Sequence, residues 1–124
     1  VLSERLAHLE DIEKAIGRLW PAGVEKLPTI DYYVGGRSEK EREIAAKARV
    51  ILATSQFASE GLDIPALDTL VLGTPMSDVE QAVGRILRPF EGKKPPIVVD
   101  IRDDRVPLFR GLGDKRDRLY SRIT

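Results

Sequence analysis

The chain has no cysteine, one histidine, one tryptophan and one methionine. Without thiols there is no disulfide framework, no Cys-based zinc site and no thiolate nucleophile. The lone imidazole, His8, excludes a metal cage built from several histidines. No apolar run approaches the ~18 residues of a membrane span, and no basic-then-apolar leader opens the chain. These absences predict a soluble protein of a reducing compartment, with no membrane partner. What is present is globular in kind: 124 residues, 42% hydrophobic and 32% charged. A chain of this length is expected to form a single domain that buries about two-thirds of the surface its unfolded form exposes.

Net charge is zero, but it is unevenly laid out. Residues 1–79 carry nine basic and thirteen acidic side chains, net −4, whereas 80–124 carry eleven and seven, net +4. A basic C-terminal third suits phosphate, though the same charge can simply keep a surface solvated.

Apolar spacing predicts alternating helices and short strands. Val1 and Leu2 read as the end of a strand whose beginning is missing, and Ser3 is placed to cap the next helix. Leu6, Leu9, Ile12, Ile16, Leu19 and Trp20 follow helical spacing, with Trp20 expected in the core, and Pro21 and Gly23 end the run. His8 falls on the polar side of this helix and is expected at the surface. A β-branched and aromatic strand, 29–34, stops at Gly35-Gly36. Ser38 with Glu41 forms a capping box for a helix to about Ala48. The run 50–53 reads as a strand covered on both faces. The pattern then repeats: strand 69–72, a second capping box at Ser77 and Glu80, a helix to about Leu87, a turn-rich loop and a last buried strand, 97–101. A terminal amphipathic helix is expected over 113–124. This is an α/β chain with a mostly parallel sheet and helices on both faces. Ligands gather at the carboxyl ends of such strands.

Two segments could carry chemistry. Gln81, Arg85 and Arg88 lie at i, i+4 and i+7, on one face of a helix. Two guanidiniums and an amide on one stripe suit a polyanion, because the planar Arg fork donates bidentate hydrogen bonds and stays charged. The plainer reading is a helix face paired with Asp78 and Glu80. The second segment, 53–65, sets Thr54, Ser55 and Ser59, then Gly61 and Asp63, after a buried strand. Its hydroxyls could meet phosphate and Asp63 a sugar hydroxyl; alternatively it is an ordinary connection with a Gly cap and an Asx-turn. Farther on, Lys115-Arg116-Asp117-Arg118 through Arg122 could grip DNA or merely be a solvated, mixed-charge face.

Taken in order, these segments resemble motifs V and VI of superfamily 2 helicases, in the second of their two RecA-like domains. Ala53-Thr54 through Glu60-Gly61-Leu62-Asp63-Ile64-Pro65 resembles motif V, and Gln81-Ala82-Val83-Gly84-Arg85-Ile86-Leu87-Arg88 resembles motif VI. Leu2-Ser3-Glu4-Arg5 is similar to the end of motif IV, and Tyr33-Val34-Gly35-Gly36-Arg37 to the glycine turn after the second strand. The wording is most similar to helicases of phages and large DNA viruses.

The resemblance implies a RecA-like fold and half of an ATP-dependent DNA helicase or translocase. It implies catalytic roles for Arg88, as arginine finger, with Arg85 beside it and Gln81 in support. It implies ATP contacts from Gly61, Asp63 (to the ribose), Arg85 and Arg88, and nucleic-acid contacts from Thr54, Gly36 and Arg37. No GxxxxGK[ST] phosphate loop and no Asp-Glu pair of the magnesium-binding motif is present. The Mg²⁺ ligands and the phosphate cradle are therefore expected on an N-terminal RecA-like domain that this chain lacks, and the chain alone is expected to be inactive as an ATPase. This chain supplies no metal site by that reading. The expected place of action is the cytoplasm, the host's if the source is viral. Two alternatives stand beside this: a non-catalytic nucleic-acid-binding module on the same fold, and an unrelated α/β domain with chance motifs.

Overall fold

The structure, a computed structural model, describes residues 1–23, 26–54, 64–74 and 79–123. The chain packs as two compact units, Val1–Leu62 and Asp63–Thr124.

In the first unit, strand β1 (Leu2–Ser3) leads to helix α1 (Leu6–Leu19), strand β2 (Ile30–Tyr33), helix α2 (Glu39–Ala45) and strand β3 (Val50–Thr54). The strands are parallel and β3 lies between β2 and β1, with Tyr33 opposite Ala53 and Ser3 opposite Thr54. Ile51, Leu52 and Ala53 of β3 point alternately to its two faces and are all buried, so both faces are covered, as their unbroken apolar run predicts. Leu9 from α1 and Val34 join Leu52 in the core, with Ile12, Ile30, Tyr32 and Val50 packed around them. The α1 stripe is narrower than its spacing suggests, since Leu6 and Leu19 are exposed.

Helix α2 begins with the expected capping box. The Ser38 hydroxyl accepts from Glu41 N–H at 3.2 Å, and Glu41 Oε1 accepts from Ser38 N–H at 3.1 Å. Two otherwise unpaired amide donors are satisfied at once. Ser38→Ala is expected to destabilise the chain by about 1 kcal/mol, read as a lower urea midpoint at unchanged slope; an unmoved midpoint would mean that the box contributes nothing.

Three local expectations are corrected here. Ser3 does not cap α1: Arg5 is the N-cap residue and makes no side-chain cap, while the buried Ser3 hydroxyl accepts from Arg5 N–H at 3.3 Å. His8 is half-buried, not surface, because its Nδ1 lies 2.8 Å from Ser3 Oγ. Trp20 is exposed, because α1 ends at Leu19 and Trp20 turns into extended backbone as the C-cap.

In the second unit, strand β4 (Thr69–Leu72), helix α3 (Glu80–Ile86), strand β5 (Ile97–Asp100) and helix α4 (Pro107–Ile123) follow in order. β4 and β5 are parallel, Thr69 opposite Ile97 and Leu72 opposite Asp100. Leu70, Leu72, Val79, Val83, Ile86 and Leu119 are buried. Ser77 and Asp78, expected in the second capping box, lie outside the described residues; α3 starts at Glu80 with Val79 as N-cap.

Strand β5 is not buried on both faces. Ile97 is 56% and Val99 42% exposed, alternating with better-covered neighbours, so one face is open. Helix α4 starts six residues earlier than its predicted Gly113, because Pro107 occupies the first helical position, where its missing N–H costs nothing. No helix among the described residues is long and apolar enough to cross a membrane.

Candidate functional site

The parallel strands of the first unit deliver Thr54 and the Gly35-Gly36 turn to the same carboxyl edge of their sheet. Thr54 ends β3, half-buried, and Gly36 has φ +85°, a left-handed backbone that a side chain would strain. Arg37 follows and is drawn inward. Its Nη1 donates to Asp31 Oδ1 at 2.7 Å and to Tyr32 O at 2.9 Å, and its Nε to Glu41 Oε2 at 3.4 Å. The Arg37 hydrogen bond, helped by Tyr32 N–H, holds the Asp31 carboxyl below its ordinary range. Arg37 thus fastens the turn to the start of α2, and a phosphate here would share it with internal carboxylates.

In the second unit, α3 buries Val83 and Ile86 with the preceding Val79. Gln81 and Arg85 sit on the opposite side, Gln81 exposed and Arg85 half-buried. Arg88 lies one residue past the C-cap Leu87, in a closing turn where its N–H donates to Arg85 O at 3.4 Å. Lys93 Nζ donates to Arg88 O at 2.7 Å and steadies that turn. The expected three-residue stripe is therefore two helical residues plus an exposed Arg88 carried by the turn. Gly61 and Asp63 lie in 55–63, outside the described residues. Among the described residues no three His, Asp or Glu side chains converge as a metal site.

Two polar clusters in the second unit escape sequence reading. Arg116, only 1% exposed, donates through Nε and Nη2 to both oxygens of Asp100, each at 2.8 Å. Tyr120 O–H adds a third bond to Asp100 at 2.7 Å. Burial alone would raise the Asp100 carboxyl, but the bonds from Arg116 and Tyr120 outweigh it and hold the group below its ordinary range. Nearby, Arg102 pairs with Asp104, Asp114 and Asp117. It reaches them across Gly113, where a Cβ would stand 2.9 Å from the guanidinium. The only sequence signal for the first cluster is the i, i+4 spacing of Arg116 and Tyr120, beside an acid that ends a strand.

Comparison with known proteins gives this geometry a context. The Escherichia coli DEAD-box protein SrmB shares the fold, with TM-score 0.62 at 17% identity over 89% of this chain and 64% of that one. A protein of Acanthamoeba polyphaga mimivirus named as an ATP-dependent RNA helicase is 38% identical over 90 residues, 73% of this chain and 17% of its own length. A protein of Escherichia phage T5 named as a helicase is 34% identical over 73 residues, 56% of this chain and 16% of its own. The chain is a RecA-like domain with relatives named as helicases. It spans less than a fifth of the length of those two relatives. No protein-family model matches it. Its RecA-like α/β character, expected from the alternation of helices and buried strands, is borne out by the parallel pairings and by the shared fold.

Proposed function

We propose that this helicase domain is the second half of an ATP-dependent superfamily 2 motor that moves along DNA. One observation carries the reading: α3 turns its apolar side inward and leaves Gln81, Arg85 and the following Arg88 on the other side, two guanidiniums and an amide that fit the charge of a triphosphate. ATP is then the substrate, held between this domain and an N-terminal RecA-like domain that carries the phosphate loop and the Mg²⁺ ligands. Arg88, on its short turn, is the finger that meets charge developing on the transferring phosphoryl group. Arg85 and Gln81 position it and the nucleotide, and Asp63 receives the ribose, with Gly61 beside it in the nucleotide site. Such a finger stabilises the transition state more than the ground state, so it speeds hydrolysis without needing to tighten ATP binding.

Thr54 and the Gly36 backbone N–H are the proposed grip on the nucleic-acid strand, with Arg37 contributing through whatever donors its internal pairs leave. Backbone contacts of this kind read phosphate and not sequence, so binding is salt-dependent and nearly blind to base order. DNA is the proposed strand because the motif wording is similar to that of DNA-acting relatives. The mimivirus relative carries an RNA helicase name, so hydrolysis stimulated more strongly by RNA would overturn that choice alone.

The chain by itself is expected to hydrolyse no ATP above background, with or without nucleic acid, because the phosphate cradle and metal ligands are not in it. A phosphate-release assay on the pure chain checks this. DNA-stimulated turnover that follows the protein through a sizing column would defeat the half-motor reading.

A further inference from the structure

Helix α4 carries five cations, Arg110, Lys115, Arg116, Arg118 and Arg122, against two acids, Asp114 and Asp117. The structure sorts these charges by face. Arg116 points into the protein and is neutralised by Asp100. Asp114 and Asp117 are both taken by Arg102, Asp114 through Nη2 at 2.7 Å. Lys115, Arg118 and Arg122, three and then four residues apart, share one exposed side of the helix. Asp114 stands four residues before Arg118, the spacing of an ordinary helical ion pair, yet its hydrogen bond goes to Arg102, and Arg118 acts on it only at longer range.

We propose that Lys115, Arg118 and Arg122 form a second nucleic-acid-binding surface, and that Arg102 is its positioning residue, taking the direct contact of Asp114 and leaving Arg118 only a longer-range attraction. The surface rests on the motor reading only for the nature of the strand. Charge complementarity favours a phosphate backbone, which asks for cations at helical spacing and no apolar anchor. A protein partner would need a buried aromatic or aliphatic hot spot, and between 115 and 122 the apolar side chains, Leu119 and Tyr120, face inward. The rigid helix pre-sets the three cations, so less side-chain entropy is lost on contact than on a flexible loop.

The test is fluorescence anisotropy of a labelled single-stranded oligodeoxynucleotide titrated with the full chain over a series of salt concentrations. Lys115→Gln/Arg118→Gln/Arg122→Gln is expected to weaken low-salt binding by about tenfold or more and to flatten the log-affinity against log-salt slope by about 2, three contacts at ~0.7 each. Lys14→Gln/Lys40→Gln/Lys47→Gln, the same change in net charge at three other exposed lysines, is expected to leave the slope alone. Arg102→Gln is expected to weaken binding several-fold, and adding Asp114→Asn to restore it by more than the same change strengthens the wild type, an excess that a merely structural role for Arg102 would not give.

Unchanged binding by the triple variant beside a binding wild type overturns this surface and leaves the motor reading standing. An equal loss in the control triple overturns it in favour of net charge, and displacement by polyglutamate at matched charge overturns it in favour of an acidic protein. A wild type that binds no oligonucleotide at low salt defeats both the surface and the strand-gripping motor.

Discussion

Arg88→Ala, made in a protein that joins this domain to a phosphate-loop domain, is expected to lower nucleic-acid-stimulated ATP hydrolysis by ~10² or more while nucleotide binding is retained. The size follows from what a finger does. Charge spreads over the oxygens of the transferring phosphoryl group, and a guanidinium placed there in a site closed to water is worth about 10³–10⁵ in rate. The position of Arg88 after the helix C-cap matters to this. A residue carried by a turn held through Arg85 O and Lys93 Nζ can reach farther than one fixed in the helix barrel. Arg88→Lys keeps the charge and loses the fork, so it is expected to recover only part of the rate. Because the contact strengthens in the transition state, kcat should fall with little change in KM. Near-normal turnover in Arg88→Ala would make the residue structural and the motif VI assignment wrong.

The largest expected effect on stability is at Arg116. Arg116→Ala should cost about 3–5 kcal/mol, because removing one partner of a buried ion pair strands the other without compensation. That is a large share of the total stability of a domain this size, so Arg116→Lys provides a folded intermediate case: the charge stays, but one of the two parallel bonds to Asp100 is lost. Urea unfolding at several pH values checks the origin of the effect. The folded-state pKa of Asp100 is depressed, so its contribution is complete above the unfolded carboxylate value of about 4 and disappears as pH falls through the lower folded value. The stability gap between wild type and Arg116→Ala should therefore be widest near neutrality and narrow below about pH 4. A gap independent of pH would mean that Arg116 stabilises through packing of its stem alone.

The elements were legible where a single local signal decides them. Ser38 and Glu41 announce α2 because both halves of a capping box sit in four consecutive residues, and 50–53 reads as a strand because four apolar residues in a row cannot all face a core on a short helix. The misses share a different cause. Ile97 to Ile101 is as apolar as β3, but whether a strand is covered on one face or two depends on what packs against it, not on its own residues. The terminal helix, expected from Gly113, begins at Pro107, the one position that tolerates proline, and runs through Gly111 and Gly113 despite their low propensity. Arg116 looked solvated because a charge run usually is; its partner lies sixteen residues away, beyond any local pattern. The candidate site was legible in the same uneven way. Gln81 and Arg85 follow from helical spacing, whereas the turn that carries Arg88 and the inward pairing of Arg37 depend on Lys93, Asp31 and Tyr32, which no motif names.

Gly113 lies in the interior of α4 although glycine there gives up roughly 1 kcal/mol of helix propensity relative to alanine. The space left by its missing side chain is filled by the guanidinium of Arg102. A Cβ at position 113 would meet the far end of a flexible side chain, so alanine there would shift the guanidinium from its present place against the helix. The propensity that the helix gives up at this glycine is the room in which a residue eleven positions earlier lies flat and reaches two of its acids.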